Sequence, residues 1–104
     1  MSITFGQLIT KERKKRGLSQ KELASMITKE DGSPISAQYL NDIERDRRNP
    51  PGDFLLNEFA RVLELDEEVL YYLADGIPAD IRKQSDDPQV ITEAFRAFRR
   101  TIRG

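Results

Sequence analysis

Two stretches decide how this chain folds: Leu18-Ser19-Gln20-Lys21-Glu22-Leu23-Ala24 and Ile35-Ser36-Ala37-Gln38-Tyr39-Leu40-Asn41-Asp42-Ile43-Glu44-Arg45. In the first, Ser19 and Glu22 form a Ser-x-x-Glu capping box, in which each side chain satisfies a backbone donor left orphaned at a helix start. Leu23, Ala24 and Ile27 follow at helical spacing and form a buried stripe. In the second, Ser36 caps another helix that turns Leu40 and Ile43 inward and presents Gln38, Asn41 and Asp42 outward. The loop Arg45-Asp46-Arg47-Arg48-Asn49-Pro50-Pro51 closes this pair of helices. Its two prolines cannot continue a helix, and its arginines gather positive charge in one place.

Every substantial segment around this pair also reads at helical period. Upstream, Phe5, Leu8, Ile9 and the stem of Glu12 or Arg13 share a face that stops at Gly17. Downstream, Asp53 is expected to cap a helix carrying Phe54, Leu55, Phe59, Val62 and Leu63. Asp66 is expected to cap a fifth carrying Val69, Leu70 and Leu73, ended by Gly76. Helices this short and closely joined predict an all-α fold, a compact orthogonal bundle over residues 1–75. Beyond it, in residues 76–104, Ile77-Pro78 opens a short helical turn through Ile81. Asp87-Pro88 then caps a last helix with Ile91, Phe95, Phe98 and Ile102 on one face.

Composition removes several functions. The chain has no cysteine and no histidine, so disulfides, zinc-thiolate sites, cysteine nucleophiles and the commonest general base are absent. The acidic pairs Glu67-Glu68 and Asp86-Asp87 stand where helices begin and meet the positive helix end there, which is a structural role. No enzyme, cofactor or metal is expected. Apolar runs are too short to cross a membrane, and no signal pattern opens the sequence, so cytoplasmic residence is the expectation. The net charge of −1 hides a polarity. Residues 1–50 hold ten basic and seven acidic side chains, and residues 51–104 hold seven and eleven. A nucleic-acid binder needs such a local basic surface rather than a basic protein.

Taken in order, the Leu-Ser-Gln…Leu-Ala helix, the Ile-Ser start and the Ile-Glu-Arg basic, proline-ended loop resemble the Xre/lambda-repressor helix-turn-helix family over about residues 4–75. The resemblance implies a five-helix DNA-binding domain with a C-terminal helical extension, acting on double-stranded DNA as a transcriptional regulator, with a repressor expected. It implies Ser36–Arg45 as the helix that enters the major groove, braced by the helix before it. It also places Gln20 near a phosphate and pairs Arg13 with Glu44, which would relieve an arginine otherwise costly on a core-facing stripe.

Ser36, Ala37, Gln38, Asn41 and Asp42 are then the residues turned to bases. Gln38 and Asn41 each offer a donor and an acceptor, which suits adenine N6 and N7. Asp42 only accepts, so it favours a cytosine amino group or rejects a phosphate. Gln20, Lys21, Tyr39, Arg45, Arg47 and Arg48 are the phosphate candidates, while Tyr39 could instead pack on a thymine methyl. The plain alternative, a solvated helix face and loop, stays open for all of them, and the Lys11–Arg16 run reads as mostly solvated.

Two departures from the family pattern stand out. The turn between the paired helices is lengthened by residues 28–34. Either the preceding helix runs on or the loop forms an elbow, and its acidic character favours a solvated elbow. Asp46 replaces the usual closing glycine; aspartate tolerates a left-handed backbone, and its charge is expected to weaken phosphate affinity. The amphipathic extension must bury Ile91, Phe95, Phe98 and Ile102 somewhere. A homodimer, packing on its own domain, docking on another protein, as an antitoxin or a protease-controlled regulator would do, and a second contact with DNA through Arg96, Arg99 and Arg100 all remain open.

Overall fold

The computed structural model describes residues 3–74, 83–84 and 86–103. Six helices are described: α1 (Phe5–Lys15), α2 (Gln20–Met26), α3 (Ala37–Glu44), α4 (Asp53–Leu63), α5 (Glu67–Leu73) and α6 (Pro88–Arg103). The stop at Gly76 and the turn from Ile77 to Ile81 lie outside the described residues.

Local chemistry starts the first three helices. Thr4 and Gln7 form a reciprocal capping box at α1, and Ser19 and Glu22 form another at α2. The Ser36 hydroxyl accepts from the Tyr39 N–H at 3.0 Å and opens α3. Gly17, at φ 68, supplies the left-handed residue that turns the chain out of α1. Two caps differ from the expectation. Gly52 is the N-cap of α4 and Asp53 its first helical residue, while Asp66 flanks α5 without a side-chain cap bond. Both sites still gather negative charge in the first turn, so the helix-end electrostatics survive without the hydrogen bond.

The core joins Phe5 and Ile9 of α1, Leu23 of α2, Leu40 and Ile43 of α3, Phe59 and Leu63 of α4, and Leu70 of α5. Each such fully buried side chain contributes about 1.5–3 kcal/mol relative to exposure. Phe5 meets Phe59 edge to face at 6.3 Å, fastening α1 to α4. The inward faces of α4 and α5 are rotated from the expected ones. Phe54 and Val69 are exposed, while Leu56 and Tyr71 are buried in their stead. Arg16, the C-cap of α1, bonds both the Glu12 carboxylate at 2.8 Å and the Leu63 carbonyl, which sets a cation on the negative end of α4.

The lengthened turn is an elbow. α2 stops at Met26, and Thr28 and Pro34 pair across an isolated antiparallel bridge closed by Lys29 N–H to Ser33 O at 2.8 Å. Below it, Ile35 N–H donates to Ile27 O at 3.0 Å, so both isoleucines enter the core side by side. Thr28 is tied to α4 by its hydroxyl, which donates to Glu58 at 2.8 Å. Extra residues therefore leave the angle between α2 and α3 to be set at Ile27 and Ile35.

Asp87 accepts from Gln89 N–H at 2.9 Å and caps α6, with Pro88 in the first helical position. Ile91, Phe95, Phe98 and Ile102 lie on one face of this helix and are 42–61% exposed. Phe98 meets Tyr72 of α5 at 6.1 Å in a tilted ring contact. Among the described residues no helix is long and apolar enough to cross a membrane.

Candidate nucleic-acid interface

α3 is packed on α1 and α2 through Leu40 and Ile43, which leaves its opposite face to solvent. Ser36, Ala37 and Gln38 are exposed at its start, and Tyr39, Asn41 and Asp42 are half-buried along its length. Glu44, at the other end, fixes the helix from beneath. Its carboxylate takes Arg13 Nε at 2.7 Å and Nη2 at 3.0 Å, a bidentate pair between side chains 11% and 3% exposed. Thr10 Oγ1 and Gln20 Nε2 also donate to Glu44, at 3.1 and 3.0 Å, and Arg13 Nη1 reaches the Leu18 carbonyl at 2.8 Å. Burial pushes the Glu44 carboxyl up, but the bonds from Arg13, Gln20 and Thr10 and the Arg13 charge outweigh it and hold it below the usual range. One acceptor thus ties α1, α2 and α3 together.

Gln20 stands at the α2 tip with its amide turned sideways. Nε2 donates to Asn41 Oδ1 at 3.1 Å as well as to Glu44, so the glutamine orients Asn41. On the outer face Gln38 Nε2 donates to Asp42 Oδ1 at 3.0 Å. Arg47 and Arg48 approach the same carboxylate at 4.0 and 3.9 Å, and the Arg48 guanidinium lies 5.2 Å from the Tyr39 ring centre. Arg45 and Lys21 are exposed. The structure therefore groups Gln38, Tyr39, Asp42, Arg47 and Arg48 in one cluster. It places Gln20, Asn41, Arg13 and Glu44 in a second cluster behind it.

Asp46 corrects an expectation. It adopts φ 57, yet its carboxylate does not stand free among the arginines. It accepts from Thr4 Oγ1 at 2.7 Å and from Gly6 N–H at 3.1 Å, at the N-terminus of α1. The anion is spent on the positive end of a helix, and it latches that end to the close of α3. Gly6 makes the latch possible, because a Cβ there would fall 2.4 Å from Ile43 O and 2.6 Å from Glu44 O. Neither Thr4 nor Gly6 stood out in the sequence, although Thr4-Phe5-Gly6-Gln7 carries a readable Thr-x-x-Gln signal. Of the Lys11–Arg16 run, Lys11, Lys14 and Lys15 are exposed, as expected, while Arg13 and Arg16 are bonded within the fold. Lys11 and Lys14 line, with Gln7, Gln20 and Arg45, an open cleft of about 520 Å³ between α1 and the ends of α2 and α3.

A helix-turn-helix family model matches residues 9–70, more than half of the chain. The chain belongs to the helix-turn-helix family of Xre/lambda-repressor type. As a member it is a DNA-binding transcriptional regulator, and α2 and α3 are its paired helices. Its fold is similar to two solved structures of SinR. One, the master regulator for biofilm formation in complex with DNA, is 30% identical, with a TM-score of 0.54 over 64% of this chain and 97% of that one. The other, from a SinR–SinI protein complex, is 21% identical, with a TM-score of 0.56 over 94% of this chain and 99% of that one. Among curated protein sequences none matches this helix-turn-helix protein.

Proposed function

We propose that this helix-turn-helix protein is a repressor that acts in the cytoplasm by binding rather than by catalysis, laying α3 in the major groove of double-stranded DNA. One observation carries the reading. The outer face of α3 is a row of polar side chains, while its inner end is locked by the Arg13–Glu44 pair. A reading helix needs rigid backing and edge-reading groups with hydrogen-bonding capacity to spare. Ser36, Ala37, Gln38, Asn41 and Asp42 face the bases, with Asn41 held in place by Gln20. Lys21, Tyr39, Arg45, Arg47 and Arg48 meet phosphates, and Lys11 and Lys14 extend that cationic rim. A phosphate contact by the Gln20 amide requires it to leave Asn41 and Glu44. The SinR structure solved with DNA supports the assignment of partner class.

The DNA-reading unit spans residues 1–75, and residues 76–104 form the extension. The apolar face of α6 supports two fates. A homodimer through Ile91, Phe95, Phe98 and Ile102 fits the two-fold symmetry of operators. The second reading, docking on another protein, is favoured by the SinR–SinI complex, whose comparison reaches into the extension by covering 94% of this chain.

Selection of bound sequences from a random duplex library supplies the site. On it, Gln38→Ala is expected to cost about 1–3 kcal/mol while binding to unselected duplex is unchanged. Arg48→Ala should weaken both and lower the salt slope by about 0.9. Equal loss on selected and unselected DNA from Gln38→Ala would refute base reading by α3.

A further inference from the structure

Asp42 is an unexpected residue on a face offered to a polyanion, and its surroundings give it work to do. The carboxylate is about one-fifth exposed and stands between Gln38 on one side and Arg47 and Arg48 on the other. The other acidic residue of this region, Asp46, is committed to Thr4 and Gly6, so Asp42 alone faces the loop arginines. The two guanidiniums sit at 4.0 and 3.9 Å, close enough for attraction and too far for a bidentate bond. Both arginines are also 58–60% exposed. This is a loose, solvent-accessible pairing that another anion can displace.

We propose that Asp42 is a specificity-determining residue that acts by exchange: without DNA it screens Arg47 and Arg48, and on the correct site it gives them up to phosphates and accepts from a cytosine amino group. The proposal rests on α3 being the reading helix. On a matched site the carboxylate trades two cations for an N4–H donor and stays satisfied. On a mismatched site the arginines still move to phosphates, but the carboxylate is left facing base acceptors and nearby phosphates with only the Gln38 amide as donor. That difference, rather than attraction alone, separates right from wrong DNA. Gln38 profits from the same group. Its bond to Asp42 uses one amide hydrogen and leaves the second hydrogen and the carbonyl for an adjacent adenine.

The test measures binding of the full chain to unselected 20-base-pair duplex at about 50 mM salt, where surface charge is weakly screened. Asp42→Asn keeps the shape and the acceptor for Gln38 but removes the charge. One charge pair at about 4 Å in water is worth about five-fold, so losing one or both pairs predicts affinity for unselected DNA about five- to thirty-fold tighter. Affinity for the selected site should change less, so discrimination falls and the preference for cytosine at one position relaxes. In an Arg47→Ala/Arg48→Ala background the same substitution should give a clearly smaller gain, because only the carboxylate's repulsion of phosphates is relieved and no guanidinium is left to release. Glu30→Gln, the same charge change on the elbow, should be nearly silent.

An equal gain from Asp42→Asn with and without the two arginines, or an equal gain from Glu30→Gln, would reduce the effect to net charge and overturn the proposal. No gain in wild-type background overturns it as well. Failure of the wild-type chain to bind any duplex would instead remove the DNA-reading assignment beneath it, so the two failures are distinguishable.

Discussion

Glu44→Ala is the most searching perturbation of this fold. The carboxylate accepts four bonds, two from Arg13 and one each from Thr10 and Gln20. Two of its donors keep another partner after truncation: Thr10 still reaches Gly6 O at 2.9 Å, and Gln20 still reaches Asn41 at 3.1 Å. Arg13 does not fare as well. One nitrogen keeps the Leu18 carbonyl, but the charge is left 11% exposed with no counter-ion. Breaking one side of a buried pair costs about 3–5 kcal/mol, and the surviving bonds place this case near the lower figure, about 3 kcal/mol. Urea unfolding followed by circular dichroism should show that loss in the midpoint at unchanged m, and the melting temperature should fall by about 12–24 °C. Arg13→Met combined with Glu44→Leu removes both charges and should recover most of the loss, within about 1 kcal/mol of wild type. A cost under about 1 kcal/mol for Glu44→Ala, or a double variant no better than the single one, would refute an energetic clasp.

Gly6→Ala is expected to destabilise by at least about 1–3 kcal/mol, read by the same urea curves, because the new methyl meets backbone oxygens that cannot step aside. Acid should expose the Glu58 knot. Bonds from Arg61 and Thr28 hold this carboxyl at about 2. A depressed folded value means its stabilisation is complete above the unfolded carboxyl pKa and is lost as pH falls from about 4.3 towards the folded value. Stability of Glu58→Gln measured between those pH values should therefore fall less steeply than that of wild type, with a difference below about 1 kcal/mol because the Arg61 partner is largely solvated. Removing residues 88–104 should leave a folded domain, since α6 buries no residue of its own. Sedimentation should then find a monomer with weaker affinity for the selected site, and a truncated chain that stays dimeric would exclude α6 as the interface.

Much of the molecule was decided by sequence alone, and for a local reason. Ser19, Ser36 and the break at Pro50-Pro51 act within a turn of where they stand, so the starts of α2 and α3 and the end of the pair are written in adjacent residues. The inward stripes of α2 and α3 are legible because Leu23, Ala24, Ile27, Leu40 and Ile43 have mostly polar neighbours, Met26 and Tyr39 apart. The buried stripes of α4 and α5 are shifted from the expected ones, because Phe54-Leu55-Leu56 and Val69-Leu70-Tyr71 are apolar on successive residues and periodicity cannot choose among them.

Tertiary structure decided what joins residues far apart in the chain. Asp46 caps α1 from 40 residues away, Thr28 holds Glu58 from 30, and Gln20 orients Asn41 from 21. No local pattern records such pairs, since each depends on where two helices cross. The most consequential case is the negative charge in the basic loop. Composition makes Asp42 and Asp46 look alike, two carboxylates a turn apart among arginines. The fold turns Asp46 inward to a helix end and leaves Asp42 outward between Gln38, Arg47 and Arg48, because only Asp46 lies past the end of α3 beside Gly6, where the two backbones meet.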